Sequence, residues 1–432
     1  MTKNQYREVL EDNFPPEIKL TLGDKTLVYR KEVYKINLEN GSTREAGLRY
    51  GENPGQAAAL YRLVNGNLLI AGVSYVGPEL PLVSGLSQMD PKTSMMYGSR
   101  KHPSKTNLTD VDSALNVLRY LNDLPASVIV KHNNPSGVAI ASSLSGAFSK
   151  SLAGDLVAAF GGAAVVNRPV DRETARLMSE NYLEVIAAPD YEEGVLDILT
   201  KKPDLRVFKI KNIEKLKEYQ TARFLDIKSL LDGGLILQES SVNQILTPED
   251  FKPASTTYQG ITYTSKRTPD TRELKDLVFG WAVLQAVVSN SVLFVKDGAT
   301  VSIAGGQQDR VGVVEIAVFK AKRNFTEILS SKEHGLSTKD LEKKISEKPS
   351  YAKDLLRYKD EAERAHGGLT GGVLVSDGFF PFRDVLDLAL KEGVTAVAHP
   401  GGAIRDFESI QAANDKEPPV AMVFTGQRAF KH

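Results

Sequence analysis

Short runs of β-branched and small apolar residues alternate with segments whose apolar positions recur every three or four residues, over most of the chain. Residues 126–130 (ASVIV) make a continuous apolar run of strand length that ends at Lys131-His132. Before it, Val111, Ala114, Leu115, Leu118 and Leu121 share one face of a helix predicted over 109–121, with Thr109 as its cap. Residues 163–166 (AAVV) are the next strand. A helix over 171–182, a strand at 184–188, a helix over 192–202 and a strand at 205–210 follow. Helices of about 10 to 15 residues between such strands imply a largely parallel, covered sheet.

The periodicity weakens over 212–260, where a domain junction is placed. A second set begins with a long helix over 269–288. Strands at 292–296 and 300–304 flank Asp297-Gly298, a strong hairpin signal, and a helix over 309–322 comes next. Residues 323–366 are dense in Lys, Glu and Ser and predict an exposed helical insertion. Strands at 373–375, 395–398 and 420–424, separated by helices, complete a two-part α/β chain.

Composition narrows this picture by exclusion. The 432 residues suffice for about two or three domains. With 54 basic and 54 acidic residues the chain has no cationic excess, so neither nucleic acid nor a membrane surface is an expected partner. It has no cysteine, which excludes disulfides, thiolate catalysis and cysteine-ligated zinc. No apolar run approaches the roughly 18 residues of a membrane span. Residues 1–17 are polar and acidic, unlike a signal or transit peptide, so a soluble cytoplasmic protein is expected.

Four segments could carry chemistry. LRYGENPGQ (48–56) places Arg49 and Tyr50 in a shaped polar loop, where an arginine can hold a phosphate through two parallel hydrogen bonds. KHNNPSGV (131–138) sets Lys131 and His132 just past a buried strand, where open α/β sheets bind ligands. A histidine there can act as general base and a lysine can meet a developing anion. SDGFFPFRD (376–384) offers phenylalanines for a flat ring and Asp384 for amino donors. TGQRAFKH (425–432) adds Arg428, Phe430 and His432 on a terminus expected to be loose. The structural alternatives are an ordinary surface turn, a capped strand end and a core-facing turn for the first three. Dinucleotide, Walker and serine-hydrolase patterns are missing, and the six histidines have no metal-ligand spacing.

These segments, together with AFGG, EVIAAPDYEEGVLDIL, QAVVSNSVLFVKDGATVSIAGGQQDR and HPGGAIRD, occur in an order that resembles the transformylase half of the AICAR transformylase/IMP cyclohydrolase family. The resemblance runs from Leu48 to His432. It implies a 1–47 amino-terminal arm and two cytidine-deaminase-like α/β/α subdomains at 48–240 and 241–432, the second holding the 323–366 insertion. It implies transfer of a formyl group from 10-formyltetrahydrofolate to AICAR (5-aminoimidazole-4-carboxamide ribonucleotide), by a homodimer with shared sites and without zinc. With only 47 residues before LRYG, cyclohydrolase activity is not expected. An alternative is a catalytically silent paralogue that holds a purine nucleotide.

The resemblance also implies residue roles. Lys131, His132 and Asn290 are catalytic. Arg49, Tyr50, Arg310, Phe379, Arg428 and Phe430 bind AICAR. Phe160, Gly161, Glu184, Pro381, Phe382 and Asp384 line the folate pocket. A potassium ion is implied near Ser289, Ser291, Asp377 and His432. A phosphate-binding lysine falls on Lys201 or Lys202.

Overall fold

The computed structural model describes residues 13–432 apart from 38–41, 67–68, 71–72, 75–80, 89–101 and 203. Residues 1–12 of the expected amino-terminal arm, and most of the stretch read as unlike a leader peptide, lie outside the described residues. The protein is mixed α/β and divides into two compact units. The first holds the described residues up to Pro125 and Gly161–Asn243; the second holds Ala126–Phe160 and Gln244–His432. Among the described residues no helix is long and apolar enough to cross a membrane.

In the first unit, Glu17–Leu22, Lys25–Glu32 and Leu60–Asn65 form an antiparallel sheet that buries Leu27 and Leu63. Three parallel strands, Gly162–Val166, Leu183–Ala188 and Arg206–Lys209, are largely buried, with Ser87–Gln88 antiparallel at the edge. The helix predicted from Thr109 runs over Lys105–Leu118 instead. Ser104 accepts from the Asn107 amide while Asn107 accepts from the Ser104 amide, a capping box that starts the helix a turn earlier. Asp171 caps Arg172–Glu180. The helix expected over 192–202 shortens to Val195–Leu199, because Gly194 has a left-handed backbone (φ 78°) and packs against Arg172, where a Cβ would lie 2.6 Å from Nη2.

In the second unit the strands lie in the order Lys252–Pro253, Ala421–Phe424, Ala396–His399, Val373–Ser376, Val292–Lys296, Ala299–Ala304, Asn134–Ile140, Ala126–Lys131. Only the 373, 396 and 421 strands pair in parallel, so the largely parallel sheet expected from the sequence is a mixed one. Asn134–Ile140 was hidden behind turn-like residues Pro135, Ser136 and Gly137. Gly137 serves close packing rather than a turn: a Cβ there would lie 1.8 Å from the Ser151 carbonyl oxygen. The Asp297-Gly298 hairpin forms as predicted, and Asp276 accepts from both its amides. Phe294, Leu374, Phe380, Val397 and Met422 anchor the core against the helices.

The 309–322 helix and the start of the insertion are one helix, Arg310–His334, capped by Asp309 and closed by Gly335 (φ 65°). Thr338–Lys343 and Ser350–Arg364 complete the helical insertion, which buries Leu341, Leu355 and Tyr358 in a cluster of its own. The charge density of the sequence masks these few apolar positions.

Candidate functional site

The 126–131 strand turns directly into the 134–140 strand, with Lys131 opposite Asn134. Only His132 and Asn133 connect them, and both have positive φ (54° and 61°), the geometry of a type I′ hairpin turn. Left-handed backbone costs about 1–2 kcal/mol for residues with a Cβ, although histidine and asparagine tolerate it better than most. Such strain collects at functional positions. The turn lifts the His132 side chain into solvent, while Lys131 Nζ donates to the Phe160 carbonyl at 2.6 Å.

This turn is fastened from two sides within the second unit. Asn134 Oδ1 accepts from the Val288 amide at 3.1 Å, and Lys431 Nζ donates to the carbonyls of Ala286 (2.9 Å) and Asn133 (3.5 Å). The carboxyl-terminal tail, expected to be loose, is therefore held. Ser289 and Lys431 exchange hydrogen bonds at 2.9 and 3.1 Å, and the Ala429 amide donates to the Asp377 carbonyl at 3.1 Å.

Behind the tail lies a buried polar knot. Asp377 is fully buried and its carboxylate accepts from Arg310, from Ser289 Oγ (2.6 Å) and from the Ser291 amide (3.0 Å). Arg310 also donates to Ser376 Oγ (3.1 Å), the Ser291 carbonyl (3.2 Å) and Asn290 Oδ1 (2.7 Å). Asn290 Nδ2 donates to the Gln307 carbonyl at 2.9 Å. Gly378 is needed here, since a Cβ would lie 2.5 Å from Arg310 Nη2. Arg310, which the resemblance assigns to AICAR, thus sits below the surface and holds Asn290 by its side-chain oxygen. Ser291 Oγ is buried and meets no hydrogen-bond partner.

The FFPF run splits three ways. Phe380 is wholly buried against His399, Phe379 is half-buried under the exposed Arg428 guanidinium at 5.5 Å, and Phe382 is 52% exposed beside Arg405. Phe430 takes the same guanidinium at 5.7 Å, so Arg428 lies against both rings assigned to the imidazole. Pro381 is half-buried and Asp384 exposed at the start of the Arg383–Leu390 helix. His432 is exposed, its ring 6.3 Å from that of Phe430. Phe160, also of the second unit, is 62% exposed.

The remaining predicted residues belong to the first unit. Gly161 has positive φ (77°) and its amide donates to the Tyr182 carbonyl at 2.7 Å. Arg49 is buried and donates to Tyr50 Oη at 3.0 Å, over whose ring it stacks. Gly51, Asn53 and Gln56 close the loop by hydrogen bonds of 2.8 to 3.1 Å. Glu184 lies 3.7 Å from Arg206 Nη1. Arg206 and His102, both buried, stand in no motif of the sequence; the one signal for Arg206 is an arginine early in the strand-like stretch 205–210 (LRVFKI). Of the two candidate phosphate lysines, Lys201 is exposed and Lys202 donates to the Asn181 carbonyl.

Among the described residues one group of three carboxylate or imidazole ligands gathers, Glu333, His334 and Asp354, but Arg357 pairs with both of its carboxylates.

A family model described as AICARFT/IMPCHase bienzyme matches residues 17–320. The chain belongs to this family. It is similar to the bifunctional purine biosynthesis protein PurH of Persephonella marina, 38% identical over 386 residues, covering 89% of this chain and 59% of that protein. The PurH of Caldicellulosiruptor saccharolyticus is 34% identical over 385 residues, with the same coverage of 89% and 59%. That of a Thermoanaerobacter species is 33% identical over 413 residues, 94% of this chain and 64% of its own length. The chain therefore spans 59% to 64% of these curated relatives.

Proposed function

We propose that this chain transfers the formyl group of 10-formyltetrahydrofolate to the 5-amino group of AICAR, giving formyl-AICAR and tetrahydrofolate in purine biosynthesis. The observation that carries the reading is the Lys131-His132 pair, set where a strand enters a two-residue turn of positive φ, in a chain of the AICARFT/IMPCHase family.

The 5-amino nitrogen is a poor nucleophile because its lone pair is delocalised into the imidazole and carboxamide. As it attacks the formyl carbon it must lose a proton, and His132 accepts it as general base. The carbon–nitrogen bond to the new amine forms, the carbonyl oxygen takes up the electron pair, and Lys131 meets that oxyanion. Collapse of the tetrahedral intermediate breaks the bond to N10 of the folate, which leaves with a proton from Lys131 or His132. Asn290, braced by Arg310, orients the amine and carboxamide. Arg49, Tyr50 and Arg428 hold the 5′-phosphate, Phe379 and Phe430 pack on the imidazole, and Phe160, Gly161, Glu184, Pro381, Phe382 and Asp384 receive the folate.

The same reading takes the stretches 48–240 and 241–432 as cytidine-deaminase-like subdomains of a cytoplasmic homodimer that shares its sites. Support for the subdomains comes from the succession of strands and covering helices in each stretch. Ser291 Oγ, a buried neutral oxygen without a partner, suits a monovalent cation such as potassium. The Asp377 carboxylate, already met by Arg310, would contribute little further charge to it.

The test is release of tetrahydrofolate, followed by absorbance, with AICAR and 10-formyltetrahydrofolate as substrates, and again with formate plus ATP. Turnover only with the folate is expected, and chromatography should show formyl-AICAR as the product. Turnover with neither pair would remove the proposal.

A further inference from the structure

Among the described residues of the first unit, three buried basic side chains keep nitrogens that no partner meets. Arg49, Arg206 and His102 are 5%, 2% and 2% exposed. On each, one nitrogen is buried without a hydrogen-bond partner: Nε of Arg49, Nε of Arg206 and Nε2 of His102.

Three separate stretches bring these groups together. The Arg49 amide donates to the Pro103 carbonyl and the Lys105 amide to the Tyr50 carbonyl, both at 2.9 Å, which lays residues 49–50 beside His102 and the start of the Lys105–Leu118 helix. Arg206 pairs with Val185 across parallel strands, next to Glu184. Glu184 also accepts from Asn107, in the first turn of that helix, at 3.5 Å. The groups feel one another's fields. Burial first, then Arg49, Arg206 and the exposed Arg44, push the His102 imidazole down to about 4. Burial and then Arg49 lower Arg206 to about 10, and the opposing charges of Glu184 and Asp204 do not reverse it.

Buried charge is tolerated only when it is paired and hydrogen-bonded. Here, among the described residues, the Glu184 carboxylate stands 3.7 Å from Arg206 Nη1 and is 40% exposed, Nη1 also donates to the Asp204 carbonyl at 3.5 Å, and neither partner meets the open Nε atoms. We propose that Arg206 and His102 are further recognition residues for a dianionic phosphate monoester, acting beside Arg49, which is already assigned to the phosphate above. That this phosphate is the one borne by a nucleotide rests on the function proposed above. Two guanidiniums beside the positive end of a helix match two negative charges, and a fork of N–H groups fits tetrahedral phosphate oxygens. A single carboxylate would leave one guanidinium uncompensated. His102, neutral at physiological pH, adds a hydrogen bond without adding charge.

The test is calorimetric titration of the full chain with ribose 5-phosphate and with inorganic phosphate, using ribose and acetate as controls. Both phosphates should bind and the controls should not. Arg206→Gln should weaken ribose 5-phosphate by about 10- to 150-fold, the range for a lost hydrogen bond to a charged group. Arg206→Lys, which keeps the charge and loses the fork, should recover part of that loss. In steady-state assays Arg206→Gln should raise KM for AICAR and largely spare kcat.

Phosphate affinity in Arg206→Gln within about threefold of the natural chain, a change well below one lost charged hydrogen bond, would overturn the site even if the melting temperature falls. A purely structural pairing with Glu184 predicts that result. Should Arg206→Gln not fold, Arg206→Lys decides, and undiminished phosphate affinity in it overturns the proposal. Because the titration needs no turnover, the two readings fail separately. Phosphate binding lost with Arg206 but no formyl transfer keeps the site and removes its nucleotide assignment. Formyl transfer with phosphate binding indifferent to Arg206 does the reverse.

Discussion

The Arg310 guanidinium donates to the Asp377 carboxylate, and both groups are buried. The same arginine reaches Asn290 Oδ1, so one ion pair sets the position of a residue proposed to orient the substrate amine. Asp377→Asn would leave a buried guanidinium without its counter-charge. Breaking such a pair from one side costs about 3–5 kcal/mol. Urea denaturation should show a loss of that order, and a loss under about 1 kcal/mol, the scale of an exposed pair, would mean that Arg310 is balanced elsewhere.

His132→Ala should lower kcat by about 10²- to 10⁴-fold, the usual contribution of a general base, with little change in AICAR binding. Alanine tolerates the positive φ of position 132 less well than histidine, so His132→Asn, which suits the turn and removes the base, should show the same loss. A variant that keeps more than half of the natural kcat would take His132 out of the chemistry.

Arg428→Ala should chiefly raise the KM for AICAR, by about 10- to 150-fold for one charge-assisted hydrogen bond. Its guanidinium is exposed against Phe379 and Phe430, placed to reach a ligand that packs on those rings. The dephosphorylated nucleoside should suffer much less. Equal losses on nucleotide and nucleoside would show that Arg428 makes no phosphate contact.

Stability should fall in mild acid. Burial, reinforced by nearby arginines, holds His102 down to about 4 and His399 down to about 3, below the usual 6.5. The unfolded chain then binds more protons than the folded one as pH drops below 6.5. Their contribution is complete above that pH and is lost as pH falls toward 4 and 3. Shifts of this size correspond to on the order of 3 to 5 kcal/mol per group. Melting temperature measured from pH 7 to 4 should decline, and less steeply in His102→Asn. An identical slope in that variant would assign the acid sensitivity to other groups.

If the active sites are shared between two copies of the chain, inactive His132→Ala and Asn290→Ala chains should rescue each other when co-expressed. Random pairing makes half of all dimers mixed, and one site in each is intact, so activity should recover to about a quarter of the natural level. The ties from Val288 to Asn134 and from Lys431 to Asn133 join the His132 turn and the Asn290 loop within one chain, which gives the opposite outcome a structural basis. Mixed dimers, verified by mass, that stay inactive would show that each chain builds its own site.

What the sequence alone determined is local. The ASVIV strand, the Asp-Gly hairpin, the helices that begin near Asp171 and Asp309 and the alternation of strand and helix rest on periodicity and turn chemistry, which neighbouring residues set between themselves. The Lys131-His132 pair was legible for the same reason, as an interruption of an apolar run. Only the tertiary structure decided that Pro135, Ser136 and Gly137 belong to a strand, because the constraint on Gly137 is the approach of Ser151 from a later helix. It alone showed that Arg310 faces Asp377 rather than water, and that the terminal segment is pinned by Ser289 and Asp377. It also gathered Arg49, His102 and Arg206 from positions far apart in the chain. Burial and charge compensation depend on which distant segments meet, and no local pattern encodes that.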